Sequence, residues 1–134
     1  MNSIRVIAMD HIVLNVHDID RSLDFYTNVL GLGGERIEEY RRGEVGFPSV
    51  RINEGTLIDL MVAPAEADPA TMTRNLNHFC LVAAETDLAE FAGNLRDTGV
   101  TVTQDPVSRW GARGRATSIY LLDPDGNEVE ILCY

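Results

Sequence analysis

The chain has 134 residues, of which 45% are hydrophobic and 24% charged, and this length suits one domain with its own core. Its net charge of −10 argues against a nucleic-acid partner, because phosphate binding requires a basic face. No apolar run reaches the roughly 18 residues that a membrane span needs, and the N-terminus lacks a signal-peptide pattern. Cys80 and Cys133 lack metal-site spacing, which fits reduced thiols. We therefore expect a cytoplasmic protein with no membrane partner.

The first half of the chain is predicted to form a strand, a helix and three further strands. Residues 7–16 alternate in the manner of a strand. Asp18 or Asp20 can cap a helix that follows, and Gly31 supplies its stop. The remaining predicted strands are residues 33–40, 46–53 and 56–63, with a tight turn at 54–55 between the last two.

The second half repeats this order. A strand is predicted at residues 77–83, and a capping box at 87–90 opens a helix that stops at Gly99. The remaining predicted strands are residues 100–104, 117–122 and 127–133, with a turn at 123–126. The sequence therefore predicts an α+β fold of two βαβββ modules, residues 5–63 and 76–134, joined by a linker at 64–75.

Four polar side chains occupy matching places in the two halves. His11 and His78 stand in the first strand of each half, 67 residues apart, and Asp59 and Glu130 stand in the last, 71 residues apart. Taken singly, each fits an ordinary core or surface position. As a matched set inside apolar strands they predict a metal site, because a buried carboxylate needs a compensating partner. Imidazole and carboxylate ligands suit one divalent ion of Ni, Co, Zn, Mn or Fe.

Several segments resemble the vicinal-oxygen-chelate superfamily, which includes glyoxalase I, bleomycin resistance proteins, extradiol dioxygenases, methylmalonyl-CoA epimerase and fosfomycin-resistance transferases. These segments are residues 10–14 (DHIVL), 21–26 (RSLDFY), 29–32 (VLGL), 77–79 (NHF) and 120–130 (YLLDPDGNEVE). The resemblance implies that the paired modules form cupped mixed sheets around a metal held by His11, His78, Glu130 and Asp59. It also implies a homodimer, often with a site shared between subunits.

Three functions follow from this resemblance. The first is a glyoxalase-like lyase or isomerase for a small substrate with vicinal oxygens, with Glu130 or Asp59 as base and Tyr120 as donor to an oxyanion. The second is an Fe(II) extradiol dioxygenase, whose tyrosine stands ten residues before its glutamate, as Tyr120 precedes Glu130. The third is a non-catalytic small-molecule-binding protein of the resistance type. The dioxygenase also uses a second histidine shortly upstream of the residue matching His78. Residues 62–77 contain none, so redox turnover is not expected.

All eleven basic residues are arginine, which excludes lysine chemistry. Residues 110–115 contain Trp110, Arg113 and Arg115 together with two glycines. This composition predicts a mobile loop that closes over the substrate, in which the arginines bind an anionic or oxygen-rich group and Trp110 excludes water. The alternative is that these arginines, with Arg109, are solvated charges.

Overall fold

The structure is a computed structural model that describes residues 3–63, 76–122 and 128–134. The predicted linker at 64–75 and the predicted turn at 123–126 lie outside the described residues. The chain divides into two compact units, Met1–His11 with His78–Tyr134, here the terminal unit, and Ile12–Asn77, here the central unit. Strand β1 (Val6–Val16) contributes to both. The predicted modules follow element order rather than compactness, and their boundaries stay a prediction.

The central unit contains a helix, a π-helical turn, a second short helix and three strands. These are α1 (Ile19–Asp24), the turn Phe25–Val29, β2 (Gly33–Glu35), α2 (Ile37–Arg41), β3 (Ser49–Asn53) and β4 (Thr56–Val62). The strands run in the order β2-β3-β4-β1. Ile19 and Leu23 of α1 pack with Val50 and Leu60 of the sheet to form its core. Asp18 caps α1 by accepting from the Arg21 amide.

Residues 37–40 correct one prediction, because they form α2 rather than the end of a strand. Arg36 has a φ of 57°, and this left-handed conformation ends β2. Ile37 and Tyr40 then stand three residues apart and both pack against the core of the central unit. That spacing places them on one side of a helix, whereas in a strand they would point to opposite faces.

The terminal unit contains β5 (Leu76–Ala83), α3 (Leu88–Asp97), β6 (Val102–Gly111), β7 (Gly114–Leu122) and β8 (Glu128–Cys133). Its strands run in the order β1-β5-β8-β7-β6. Strand β8 lies parallel to β5 and antiparallel to β7. Strand β6 continues well beyond the predicted 100–104, and register shifts between Val102 and Val107 accommodate Pro106. Proline is tolerated there because β6 is the edge strand.

The terminal sheet has two different faces because successive side chains in a strand point in opposite directions. One face packs against α3 and is apolar; its buried members, with those of the helix, are Ala83, Leu88, Phe91, Ala92, Ile119, Val129 and Ile131. Glu130 stands between Val129 and Ile131 and therefore points to the other face. Its cross-strand partners Cys80 and Tyr120 share that face. The alternation thus separates the apolar core from a polar surface on the same strands.

No helix in the described parts of the chain has the length and apolar character to cross a membrane.

Helix α3 depends on one side-chain cap. Asp87 accepts a hydrogen bond of 3.0 Å from the Glu90 amide, as the predicted capping box requires. We expect Asp87→Ala to lower the free energy of unfolding by about 1 kcal/mol, because a helix N–H then loses its acceptor. Urea unfolding measures this change. Asp97→Ala, at the other end of α3, is the matched control, and an equal loss in both variants would contradict the capping role.

Candidate metal centre

Three polar side chains from three strands meet in the terminal unit. His11 lies on β1, His78 on β5 and Glu130 on β8. Cys80 pairs with Glu130 across β5 and β8, and His78 precedes Cys80 by two residues, so His78 and Glu130 project from the same face. We call these residues the His–His–Glu cluster.

Both imidazoles of this cluster face one carboxylate oxygen. Glu130 Oε2 lies 3.0 Å from His11 Nε2 and 3.1 Å from His78 Nε2. The two imidazole rings are 5.6 Å apart and nearly perpendicular. The side chains of His11 and Glu130 are buried, whereas 13% of the His78 side chain is exposed. Solvent therefore reaches the cluster beside His78.

Glu130 carries its charge inside the protein. Burial alone would raise the pKa of its carboxyl group, but the hydrogen bonds from His11 and His78 hold that pKa well below its ordinary value. Its second oxygen, Oε1, is buried and has no hydrogen-bond partner among the described residues. A buried acceptor left without a partner costs about 1–3 kcal/mol. The two histidines thus hold Oε2, whereas Oε1 has no hydrogen bond from the described residues.

The donor set fits a divalent metal ion. One donor atom from each member of the His–His–Glu cluster lies within 4.8 Å of the other two. Two imidazole nitrogens and one carboxylate oxygen are the ligands that Zn, Mn, Fe, Co and Ni accept, and three protein ligands leave coordination positions open. An ion placed among them would also compensate the charge that Glu130 carries.

Tyr120 and Arg109 extend the polar face beyond the cluster. The Tyr120 ring lies 5.4 Å from the His78 ring, and Arg109 Nε donates to the Tyr120 hydroxyl oxygen at 3.2 Å. Burial and the nearby charge of Glu130 raise the pKa of Tyr120. The phenol therefore keeps its proton while its oxygen accepts from Arg109.

Asp59, the fourth predicted ligand, lies in the central unit with other partners. Its buried carboxylate accepts from Ser49 Oγ at 2.5 Å, since the two residues pair across β3 and β4. Arg36 donates to Ser49 at 3.0 Å and stands 4.0 Å from Asp59. A hydroxyl and a guanidinium thus compensate this acid locally. Its roles as ligand and base stay predictions.

Residues 110–115, predicted as a loop, form the end of a β-hairpin. Trp110 pairs with Arg115, and Gly111 with Gly114, which leaves Ala112 and Arg113 as a two-residue turn. Arg115 stacks on Trp110 at 4.4 Å, and Arg113 stacks on Tyr134 at 4.2 Å. The prediction of a loop is therefore wrong, because these residues pair in a β-hairpin. Substrate binding by Trp110, Arg113 and Arg115 stays a prediction.

Two residues at the centre were not among the predicted site residues. Arg109 stood in an arginine-rich stretch, but only the β6–β7 register brings it to Tyr120. Asp10 is fully buried, and its Oδ2 lies 2.7 Å from His11 Nδ1. The sequence could have indicated Asp10, because it is an acid directly before a histidine in an otherwise apolar strand. Asp10, His11 and Cys80 form a second group of donors, in which Asp10 faces His11 Nδ1 and not the Nε2 that faces Glu130.

Two histidines and a glutamate presented by three strands make a ligand set of the kind that mononuclear metalloproteins use. The sequence model of the Glyoxalase/Bleomycin resistance protein/Dioxygenase superfamily matches residues 8–131. The chain belongs to this superfamily, and the predicted α+β fold is confirmed.

The similar proteins carry names of different functions. The chain is 31% identical to a virulence protein of Salmonella typhimurium over 94% of this chain and 83% of that protein. It is 27% identical to a probable lactoylglutathione lyase of Synechocystis over 91% of this chain and 92% of that enzyme. The structure resembles the Mn(II)-bound glyoxalase of Novosphingobium aromaticivorans with a TM-score of 0.72 at 17% identity. It covers 98% of this chain and 40% of that glyoxalase, so this likeness shows the fold alone.

Removal of one member of the His–His–Glu cluster should abolish metal binding. We expect His78→Ala and Glu130→Ala to lose stoichiometric divalent metal, because two remaining donors cannot replace the third. Metal content after dialysis, measured by mass spectrometry of the ions, gives the result, with circular dichroism to verify folding.

His17→Ala is the matched control, because His17 is exposed and lies outside the cluster. Asp59→Ala tests the fourth ligand separately, and retained metal in that variant would leave three protein ligands. Unchanged metal content in both His78→Ala and Glu130→Ala would contradict the assignment.

Proposed function

We propose that this protein is a divalent-metal-dependent, glyoxalase-like lyase or isomerase for a small substrate with oxygens on adjacent atoms. The observation that carries the proposal is the buried His–His–Glu cluster, whose donor atoms lie within 4.8 Å of one another. The similarity to a probable lactoylglutathione lyase supports the same class of reaction. His11, His78 and Glu130 would hold the ion in this proposal.

A metal ion at this position would act as a Lewis acid that polarises vicinal oxygens of the substrate. The protein then has to move a proton at the adjacent carbon. Glu130 is the proposed base, because its Oε1 is buried and has no hydrogen-bond partner among the described residues. A carboxylate oxygen fixed in this way can accept a proton without first breaking another hydrogen bond.

Tyr120 is the proposed donor to the oxyanion that forms when the proton leaves carbon. Arg109 fixes the phenol by donating to its oxygen at 3.2 Å, so the Tyr120 proton is directed away from Arg109. A preorganised donor of this kind stabilises negative charge without reorganisation. Arg109 is only partly buried and adds positive charge, which favours an anionic substrate. Arg113, Arg115 and Trp110 remain candidates for binding its distal part.

Turnover should proceed without oxygen. We expect protein loaded with Mn(II), Ni(II), Co(II) or Zn(II) to catalyse proton exchange at a carbon beside vicinal oxygens under anaerobic conditions. Proton NMR in D₂O follows this exchange. Tyr120→Phe should lower kcat by about 100-fold, because an oxyanion donor is lost, while metal content stays unchanged. Tyr40→Phe, which alters a tyrosine of the central unit, is the control, and full activity of Tyr120→Phe would contradict the role of the phenol.

An extradiol dioxygenase is the second candidate, and one observation favours it. The carboxylate of Asp59 accepts from Ser49, which weakens the expectation that a fourth protein ligand competes with oxygen. Three protein ligands would leave room for a catechol and O₂ on one Fe(II). Oxygen uptake that depends on both Fe(II) and a catechol, with no anaerobic proton exchange, would favour this candidate over the lyase or isomerase.

We also propose that the protein is a homodimer. Ile7 and Met9, two residues apart on β1 and so on one face, are 51% and 43% exposed, an apolar surface that symmetric association would cover. Light scattering at micromolar concentrations should give twice the chain mass of 14.8 kDa, and Ile7→Asp should reduce that mass by placing charge in the contact. A monomeric mass for the unaltered protein at every concentration would contradict the dimer.

A further inference from the structure

Asp10 occupies a fully buried position behind the proposed ligand His11, on the side away from Glu130. Its Oδ2 lies 2.7 Å from His11 Nδ1 and accepts from the Ala112 amide at 2.8 Å. Its Oδ1 accepts from the hydroxyl group of Tyr134. Both oxygens of Asp10 therefore have partners, which leaves the carboxylate poorly suited to binding a metal with Cys80.

The direction of these hydrogen bonds is fixed by a backbone donor. The Arg113 amide donates to the Tyr134 oxygen at 2.8 Å, so the Tyr134 proton is directed to Asp10. Asp10 thus accepts from Tyr134 at Oδ1 and from the Ala112 amide at Oδ2, which is the pattern of an ionised carboxylate. A carboxylate can only accept, which makes His11 Nδ1 the donor. His11 Nε2, which faces Glu130 Oε2 at 3.0 Å, is then the nitrogen at which a metal ion would replace a proton.

We propose that Asp10 is a positioning residue that fixes His11 with Nε2 available to the metal, and that Tyr134 and the β6–β7 turn hold Asp10 in place. This inference rests on the proposed metal site and adds the residues that control its affinity. Carboxylate partners of ligand histidines fix ring orientation and increase ligand basicity. Here the support comes from the C-terminal residue and from the turn residues Ala112 and Arg113.

Gly111 shows how closely the hairpin approaches Tyr134. A Cβ atom at this position would overlap the Tyr134 hydroxyl group and would lie 2.8 Å from Leu132 Cδ1. A side chain at this position would therefore displace Tyr134 or Leu132, so glycine lets the hairpin lie against Tyr134 while Tyr134 reaches Asp10. Arg113 also stacks on the Tyr134 ring at 4.2 Å, which holds an otherwise half-exposed side chain over the network.

The test uses Zn(II) as the probe and the full chain. We expect Asp10→Asn to weaken Zn(II) affinity by roughly 10- to 100-fold, as for other partners of ligand histidines. Tyr134→Phe and Gly111→Ala should weaken it by a smaller factor, because Asp10 keeps its contact with His11. Tyr40→Phe should bind as the wild type does. Competition with a chromophoric chelator measures the affinities.

Nitrogen NMR of the Zn(II)-loaded protein supplies a readout that a merely structural role would not change. In the wild type, His11 Nδ1 should carry a proton that exchanges slowly with solvent, and Tyr134→Phe should speed that exchange. Tyr134 is 45% exposed, so this variant keeps the test valid if Asp10→Asn fails to fold. Zn(II) bound through His11 Nδ1 would overturn the inference.

The outcomes separate this inference from the proposed function. A wild type that binds Zn(II), loses it in His78→Ala, and keeps the same affinity in Asp10→Asn and Tyr134→Phe would overturn the positioning role alone. A folded wild type that binds no Zn(II) would overturn the proposed metal site and this inference with it. Weaker Zn(II) binding in both Asp10→Asn and Tyr134→Phe, with Tyr40→Phe unaffected, supports the inference.

Discussion

The burial of Glu130 is the constraint on which the candidate centre depends. This carboxylate is 1% exposed in the middle of a sheet, where an uncompensated charge would be strongly destabilising. Two imidazoles face one of its oxygens at 3.0 and 3.1 Å. The arrangement that compensates the charge is therefore also the one that gathers three metal-binding side chains. Stability and the proposed chemistry depend on the same contacts.

The two faces of the terminal sheet let one small unit carry both an apolar core and a polar site. Val129 and Ile131 pack against α3, while Glu130 between them reaches the opposite side. Strand β8 is therefore fixed by apolar side chains on both sides of Glu130. The polar side chains are consequently held by the rigidity of the sheet rather than by loops, which suits a centre that needs fixed ligand geometry.

The two units treat their corresponding acids differently. Glu130 faces two histidines and keeps one oxygen without a hydrogen-bond partner among the described residues. Asp59 is compensated by Ser49 and Arg36. A duplicated arrangement can thus assign chemistry to one half and ion-pair stabilisation to the other. This difference bears directly on the choice between four-ligand and three-ligand reactions, because the latter leave more positions for substrate atoms.

The sequence alone determined the features that depend on local pattern. Alternation located most strands, Asp18 and Asp87 marked helix starts, and the matched His and acid positions indicated His11, His78 and Glu130. Tertiary structure decided what depends on contacts between distant residues. Helix α2 forms because Ile37 and Tyr40 pack on the central core, and Arg109 reaches Tyr120 only through strand register. The contact between Asp10 and Tyr134 joins the two ends of the chain, and no local pattern encodes a partner at that separation.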